Sequence, residues 1–178
     1  MEKENKEKEG LMGWVQTILV ALVLAFLIRS FIFNTTLVIG ESMEPTLHER
    51  DRLICLIFPF YFSDPDYGDI VIIDAPNGSG EEYVKRVVGR PGDRIDIDQG
   101  RVYRNGVLLE EDYIHQFVET ETYYGDQWEL GEGEFFVMGD NRHPQKSIDS
   151  RAFGPVHKDH INSRAFLRYY PFSKIAKL

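Results

Sequence analysis

The chain has 178 residues, 43% apolar, 13% aromatic and 28% charged, and its 29 acidic against 20 basic side chains leave a net charge of -9. That apolar content excludes a disordered chain and suits one modest globular domain with an added element. The acidic excess argues against nucleic acid as a partner, while a single cysteine, Cys55, excludes an intramolecular disulfide, and no Cys/His cluster has zinc-site spacing, so no metal is expected.

Residues 1–10, MEKENKEKEG, form a charged N-terminus, and residues 11–33, LMGWVQTILVALVLAFLIRSFIF, carry no charge from Leu11 to Ile28. As a helix that uncharged run rises about 27 Å, close to the ~30 Å hydrocarbon core of a bilayer. Trp14 is placed for one interface, and Arg29 can run its stem along lipid to the other. The run predicts a transmembrane anchor. A buried core helix competes poorly, because a helix apolar on every face is hard to cover in so small a domain. A cleavable leader competes worse, since the following RSFIFNTTLVIG has no small-x-small site. Lys3, Lys6 and Lys8 place the N-terminus in the cytoplasm and residues 34–178 on the extracytoplasmic face. Residues 1–33 hold four basic and four acidic groups, so the whole net charge lies in the outer part.

From Asn34 onward the pattern becomes short β-rich runs: TTLVIG, DRLICLIF, GDIVIID, EEYVKRVVG, DRIDID, GRVYRNGVLL and GEFFVMGD. Turn signals separate them, which predicts a mainly β fold, an antiparallel sheet or barrel-like domain behind one N-terminal helix. Asn105-Gly106 is the clearest hairpin signal, because both residue types accept positive φ. Residues 94–134 are expected to form a peripheral lobe, in which Glu110–Glu134 has the least defined strand boundaries. The tail Arg168–Lys174 reads either as a membrane-contacting surface or as part of a last strand.

Three clusters concentrate unusual chemistry: Gly40-Glu41-Ser42-Met43-Glu44-Pro45, then Tyr83-Val84-Lys85-Arg86-Val87-Val88-Gly89, then Gly139-Asp140-Asn141-Arg142 with Ser147-Ile148-Asp149-Ser150-Arg151. A serine hydroxyl needs a base within hydrogen-bond reach to act as a nucleophile. Lysine is that base only when neutral, which burial among apolar side chains favours by penalising the ammonium. On a strand, Lys85 shares a face with Tyr83 and Val87, and Arg86 lies on the other with Val84 and Val88. Ser42 ends a strand-like run, and Pro45 stops any further ladder after it. Taken alone, Ser42 reads as a turn serine, Lys85 as a solvated strand lysine and Asp149/Arg151 as a surface pair worth at most ~1 kcal/mol.

Together, in this order and behind an apolar helix, the clusters resemble the type I signal peptidases, peptidase family S26, in its Gram-positive-like branch. That resemblance implies a membrane-bound serine protease with a Ser-Lys dyad: Ser42 as nucleophile, Lys85 as general base, and the Ser42 backbone N–H as an oxyanion donor. The family's side-chain donor two positions earlier is replaced by Gly40. By the same resemblance Ser147 bonds the lysine amine, Asp149 and Arg151 brace the loop as an ion pair, and Gly139, Asp140 and Asn141 shape the turn beneath. The family places two residues between Asn-Arg and Ser-x-Asp-Ser-Arg; this chain has four, His143–Lys146.

The implied substrates are exported preproteins cut after small residues of the Ala-x-Ala type, with the lipid bilayer as the shared surface. An extended substrate would add as a strand between residues 36–40 and 82–84. Val38, Gly40, Met43, Leu47, Tyr83 and Val84 are the candidate subsite residues. No cofactor is implied, and the chain is expected to be a monomer. His48, His115, His143, His157 and His160 lie in no hydrolase motif and read as surface or loop residues. A self-cleaving repressor shares the dyad chemistry but requires a DNA-binding unit and no anchor. A catalytically inactive, membrane-tethered β module that binds extended peptides stays open as the alternative; loss of Ser42 or Lys85 would mark it, and both are present.

Overall fold

The computed structural model describes residues 13–26, 32–57 and 63–178. Residues 13–26 are helical (α1), with every side chain exposed. They span about 21 Å, and among the described residues no helix is long and apolar enough to cross a membrane. The expected anchor, 11–33, extends at both sides of α1 into residues outside the described ones.

The rest is mainly antiparallel β, as the alternation predicts. Twelve strands follow: β1 (Phe33–Leu37), β2 (Arg52–Leu56), β3 (Ile70–Asp74), β4 (Glu82–Gly89), β5 (Arg94–Asp98), β6 (Arg101–Arg104), β7 (Val107–Leu108), β8 (Gln127–Glu129), β9 (Glu134–Met138), β10 (Val156–His157), β11 (Ile161–Tyr170) and β12 (Ala176–Lys177). A four-residue helix, α2 (Ser150–Phe153), lies between β9 and β10. The large sheet runs β1-β2-β11-β3-β4-β9-β10 with β12 on β11, and the small one β7-β6-β5-β8. The small sheet is built where the turn chemistry is strongest. Asn105 and Gly106 have φ of 54° and 76°, and pair Arg104 with Val107 across the bend.

Each neighbour from β1 through β2, β11 and β3 to β4 is antiparallel, so β1 and β4 run parallel. The sheet between them curls around one apolar cluster. Leu53 and Cys55 of β2, Ile70 and Ile72 of β3 and Ala165 of β11 pack there with Val38, Met43 and Leu47, and Val84 of β4 leans on them. Burial pushes the Cys55 thiol up to about 11, so it is an inert part of this filling. The opposite face of β3 and β4 packs Val71, Ile73 and Val87 on Phe135, Val137 and Val156, with Tyr83 and Phe153 at its border. A register shift between Val87 and Gly89 opposite β9 turns Val88 into a third cluster, beneath the small sheet, with Ile95, Ile97, Val102, Phe136 and Met138.

The C-terminal tail divides: its first three residues are strand, and Phe172–Lys174 form a short 3-10 helix. Arg168–Tyr170 complete β11, whose central place between β2 and β3 was not expected; its two arginines and three aromatic residues hide the alternation.

Candidate active site

Ser42 sits half-buried in the turn that follows β1, where the amide of Glu44 bonds back to the Glu41 carbonyl and that of Leu47 to Met43. Its neighbour Met43 is buried in the apolar cluster with Leu47, Leu53 and Cys55. Lys85 extends from the middle of β4, opposite Val71, and is 3% exposed. The amine lies 3.0 Å from Ser42 Oγ and 3.0 Å from the Val84 carbonyl. No carboxylate pairs with it in an ion pair among the described residues. Burial therefore lowers the ammonium from its ordinary 10.5 to about 8, helped by the Arg151 charge and only partly opposed by Asp149 and Asp140. At pH 7 such an amine is neutral about one time in ten.

The loop after β9 grips Ser42 from below. Asn141 donates through Nδ2 to the Glu41 carbonyl at 2.9 Å and through its amide to the Ser42 carbonyl at 3.0 Å. A Cβ on Gly139 would come 2.2 Å from Ser147 Oγ and 2.4 Å from the Ser42 carbonyl oxygen, so only glycine admits this approach. Asp140 is fully buried and takes both prongs of Arg86, Nε at 2.8 Å and Nη2 at 2.6 Å, together with the Thr46 hydroxyl. Lys85 and Arg86 thus use the two faces of β4 for opposite purposes, one cation unpaired and one fully paired.

Asp149 caps α2. It accepts from Arg151 Nε at 2.8 Å and Nη2 at 2.7 Å, from the Gly139 amide at 3.0 Å and from Ser147 Oγ at 2.7 Å. Burial alone would raise its carboxyl, but the Arg151 contact and charge, the Gly139 amide and the Ser147 hydroxyl more than offset that and hold it below the usual carboxylate range. The pair is buried on both sides, at 1% and 0% side-chain exposure. It is no surface pair; removing one partner would strand the other without water, at a cost of about 3–5 kcal/mol. The resemblance had Ser147 bonding the amine. The Ser147 hydroxyl instead donates to Asp149, and the amine's bonds go to Ser42 and Val84. The longer loop is absorbed locally, by a turn in which Lys146 N–H meets the His143 carbonyl and Gln145 takes φ 61°.

The expected subsite residues divide into two groups. Met43 and Leu47 are closed off from solvent and Val38 nearly so, which makes them the packing beneath any pocket rather than its wall. Tyr83 and Val84 are half-buried at the border of the groove, and the Tyr83 ring centre lies 5.3 Å from the Lys85 amine. Gly40 has φ +84° with open space around it. A groove of about 650 Å3 runs between β1 and β4, lined by Thr35, Thr36, Leu37 and Ile39 on one side and Glu82 and Tyr83 on the other.

Sequence reasoning missed the Arg86–Asp140 and Arg142–Glu111 pairs. Arg142 is fully buried, bonding Glu111 and Thr120 of the segment before β8, and this ties that segment to the loop beneath Ser42. Arg142 stood in a quoted cluster; nothing local to it pointed to Glu111, 31 residues away.

The profile of the signal peptidase family, peptidase S26, matches residues 11–170. The chain belongs to that family. It is accordingly an enzyme, a serine endopeptidase. Signal peptidase I of Bacillus licheniformis is 38% identical over 99% of this chain and 97% of its own length. Signal peptidase I S of Bacillus subtilis is 36% identical over 99% of each, and probable signal peptidase I-1 of Synechocystis 34% identical over 92% and 85%. A solved signal peptidase I from Enterococcus faecalis V583 is 29% identical, covering 57% of this chain and 97% of that one with a TM-score of 0.46.

Proposed function

We propose that this signal peptidase cleaves exported preproteins behind small residues, with Ser42 as nucleophile and Lys85 as general base. The observation that carries the reading is the 3.0 Å contact between Lys85 Nζ and Ser42 Oγ at a lysine with no ion-pair partner among the described residues. The neutral amine takes the hydroxyl proton as Ser42 attacks the scissile carbonyl. The ammonium so formed then protonates the leaving amine, and water, activated by the same amine, releases the acyl group. The Ser42 N–H is the oxyanion donor, held in place by the two Asn141 contacts on the adjoining peptides. Asp149, Arg151, Ser147, Gly139 and Asp140 keep the loop rigid beneath it. No cofactor takes part.

The substrate enters as a strand in the groove between β1 and β4. Because those two strands are parallel and both run toward the dyad, the segment before the cut lies parallel to each and closes the curled sheet. Its first and third side chains before the cut face Val84 and the buried Val38, Met43 and Leu47, and a face already this closely packed favours small groups there. The exposed apolar helix α1 belongs to an anchor over residues 11–33, with 1–10 in the cytoplasm, 34–178 outside as the monomeric peptidase domain, and 94–134 its peripheral lobe.

The test uses detergent-solubilised wild type, Ser42→Ala and Lys85→Ala against a preprotein with Ala at the first and third positions before its cut, read by product mass. Cleavage at that bond by the wild type alone is expected, with both variants folded. Intact preprotein in all three would shift the chain to the inactive, peptide-binding reading.

A further inference from the structure

The segment between β7 and β8 reaches the loop after β9 by two routes. Glu111 takes the buried Arg142 on both carboxylate oxygens, Nη2 at 2.5 Å and Nη1 at 3.1 Å, and the Tyr113 ring centre lies 4.1 Å from the guanidinium carbon of Arg86. The Tyr113 hydroxyl donates to Glu111 at 2.8 Å, which joins the two contacts into one hook. We propose that Glu111 and Tyr113 are positioning residues for the Ser42 oxyanion donor and act on it through Asn141, an assignment that rests on the Ser42–Lys85 reading above.

Peptide geometry makes the link. The Ser42 N–H and the Glu41 carbonyl belong to one planar trans peptide and point opposite ways, so whatever pulls on that carbonyl aims the N–H. Within its own turn the carbonyl accepts from the Glu44 amide at 3.1 Å. From outside the turn Asn141 Nδ2 reaches it at 2.9 Å, and the Asn141 amide adds a bond to the Ser42 carbonyl at 3.0 Å. Asn141 is 4% exposed, and its Oδ1 accepts from the His143 amide at 3.3 Å, which holds the side chain with Nδ2 toward Glu41.

Asn141 is itself suspended between its two neighbours. On one side Asp140 takes both prongs of Arg86; on the other Arg142 donates through Nε to the Gly139 carbonyl at 2.8 Å and through Nη1 to Thr120 at 3.0 Å. Tyr113 backs the first arginine and Glu111 pairs with the second, so the hook fixes both ends of the span. Burial and the adjacent Glu111 carboxylate raise the Tyr113 hydroxyl above the ordinary phenol range and keep it a donor. The Lys85 amine bonds Ser42 and Val84, so the hook bears on the donor and not on the base. A donor that gains strength only as the oxyanion forms is read in kcat rather than in KM.

The test is preprotein turnover by wild type, Glu111→Gln, Tyr113→Leu, Asn141→Ala and the double variant Glu111→Gln/Asn141→Ala, with folding checked by thermal unfolding. Glu111→Gln and Tyr113→Leu are each expected to lower kcat by roughly tenfold, with KM within about twofold and the acidic limb of the pH profile unmoved. Asn141→Ala should lose on the order of 100-fold, and adding Glu111→Gln to it should cost less than about twofold more, because the route is already cut. If Glu111→Gln does not fold, Tyr113→Leu/Asn141→Ala reads the same coupling. A kcat within about twofold of wild type in the folded single variants, a loss carried by KM, or losses that multiply in the double variant overturn the proposal and leave the dyad standing. A folded wild type that cleaves nothing overturns the dyad reading and the hook's role with it.

Discussion

Lys85 and Arg151 are both cations removed from water, at 3% and 1% exposure, yet their surroundings treat them in opposite ways. Arg151 meets Asp149 through two parallel bonds and stays charged. Lys85 meets a hydroxyl and a carbonyl, neither of which carries charge. The same burial therefore stabilises the fold around one and loosens the proton on the other. Pairing, rather than depth, decides whether a buried cation is held charged or has its proton loosened.

The largest expected effect comes from erasing that difference. Lys85→Arg keeps a buried cation but installs a guanidinium that does not deprotonate, and cleavage should fall by about 10^4-fold. Preprotein turnover measured on folded variant checks it. Next is Asp149→Ala, which leaves Arg151 buried without its counter-charge and should cost about 3–5 kcal/mol in urea unfolding. The double variant Asp149→Leu/Arg151→Met should recover only part of that stability, since no charge is then stranded but the Gly139 amide and the Ser147 hydroxyl still lose their acceptor.

Lys85→Met should do the reverse and stabilise the fold at pH 7, by on the order of 3 kcal/mol. The sign follows from a folded-state value near 8 against an ordinary 10.5. Between those limits the unfolded chain binds more protons, so wild-type stability rises from pH 8 to about 10.5, and the penalty is fully present below 8. The advantage of Lys85→Met should accordingly shrink as pH climbs through that window. In turnover, the acidic limb of kcat/KM should bend near pH 8 and fall tenfold per unit below it.

The smallest effect concerns Gly40. The open space around it suggests that a serine there would be accepted. The backbone argues otherwise, because φ +84° is a conformation that residues with a Cβ adopt only under strain. Gly40→Ser should lose about 1 kcal/mol in thermal or urea unfolding without any clash.

What the sequence made legible is what is encoded locally. Asn105-Gly106 dictates its turn whatever surrounds it, and the short β-branched apolar runs in residues 70–74 and 82–89, bounded by turn signals, mark β3 and β4. Ser42 and Lys85 are readable as a pair only through the motifs around them; the packing that lowers Lys85 comes from strands far away in the chain. Arg86 with Asp140, 54 residues apart, and Arg142 with Glu111 are long-range choices that no window of sequence contains. β11 escaped for a related reason. Its side chains mix Arg164 and Arg168 with aromatics, and its central position is set by pairing with β2 and β3 rather than by its own pattern.

The most direct measurement is an NMR titration of the Lys85 side chain in folded protein carrying 13C-labelled lysine, with Lys85→Met assigning the signal. The account predicts a midpoint near 8 that returns to about 10.4 in denaturant. A midpoint at the ordinary lysine value in the folded protein would contradict it, because an amine charged throughout the physiological range is not the base that Ser42 requires.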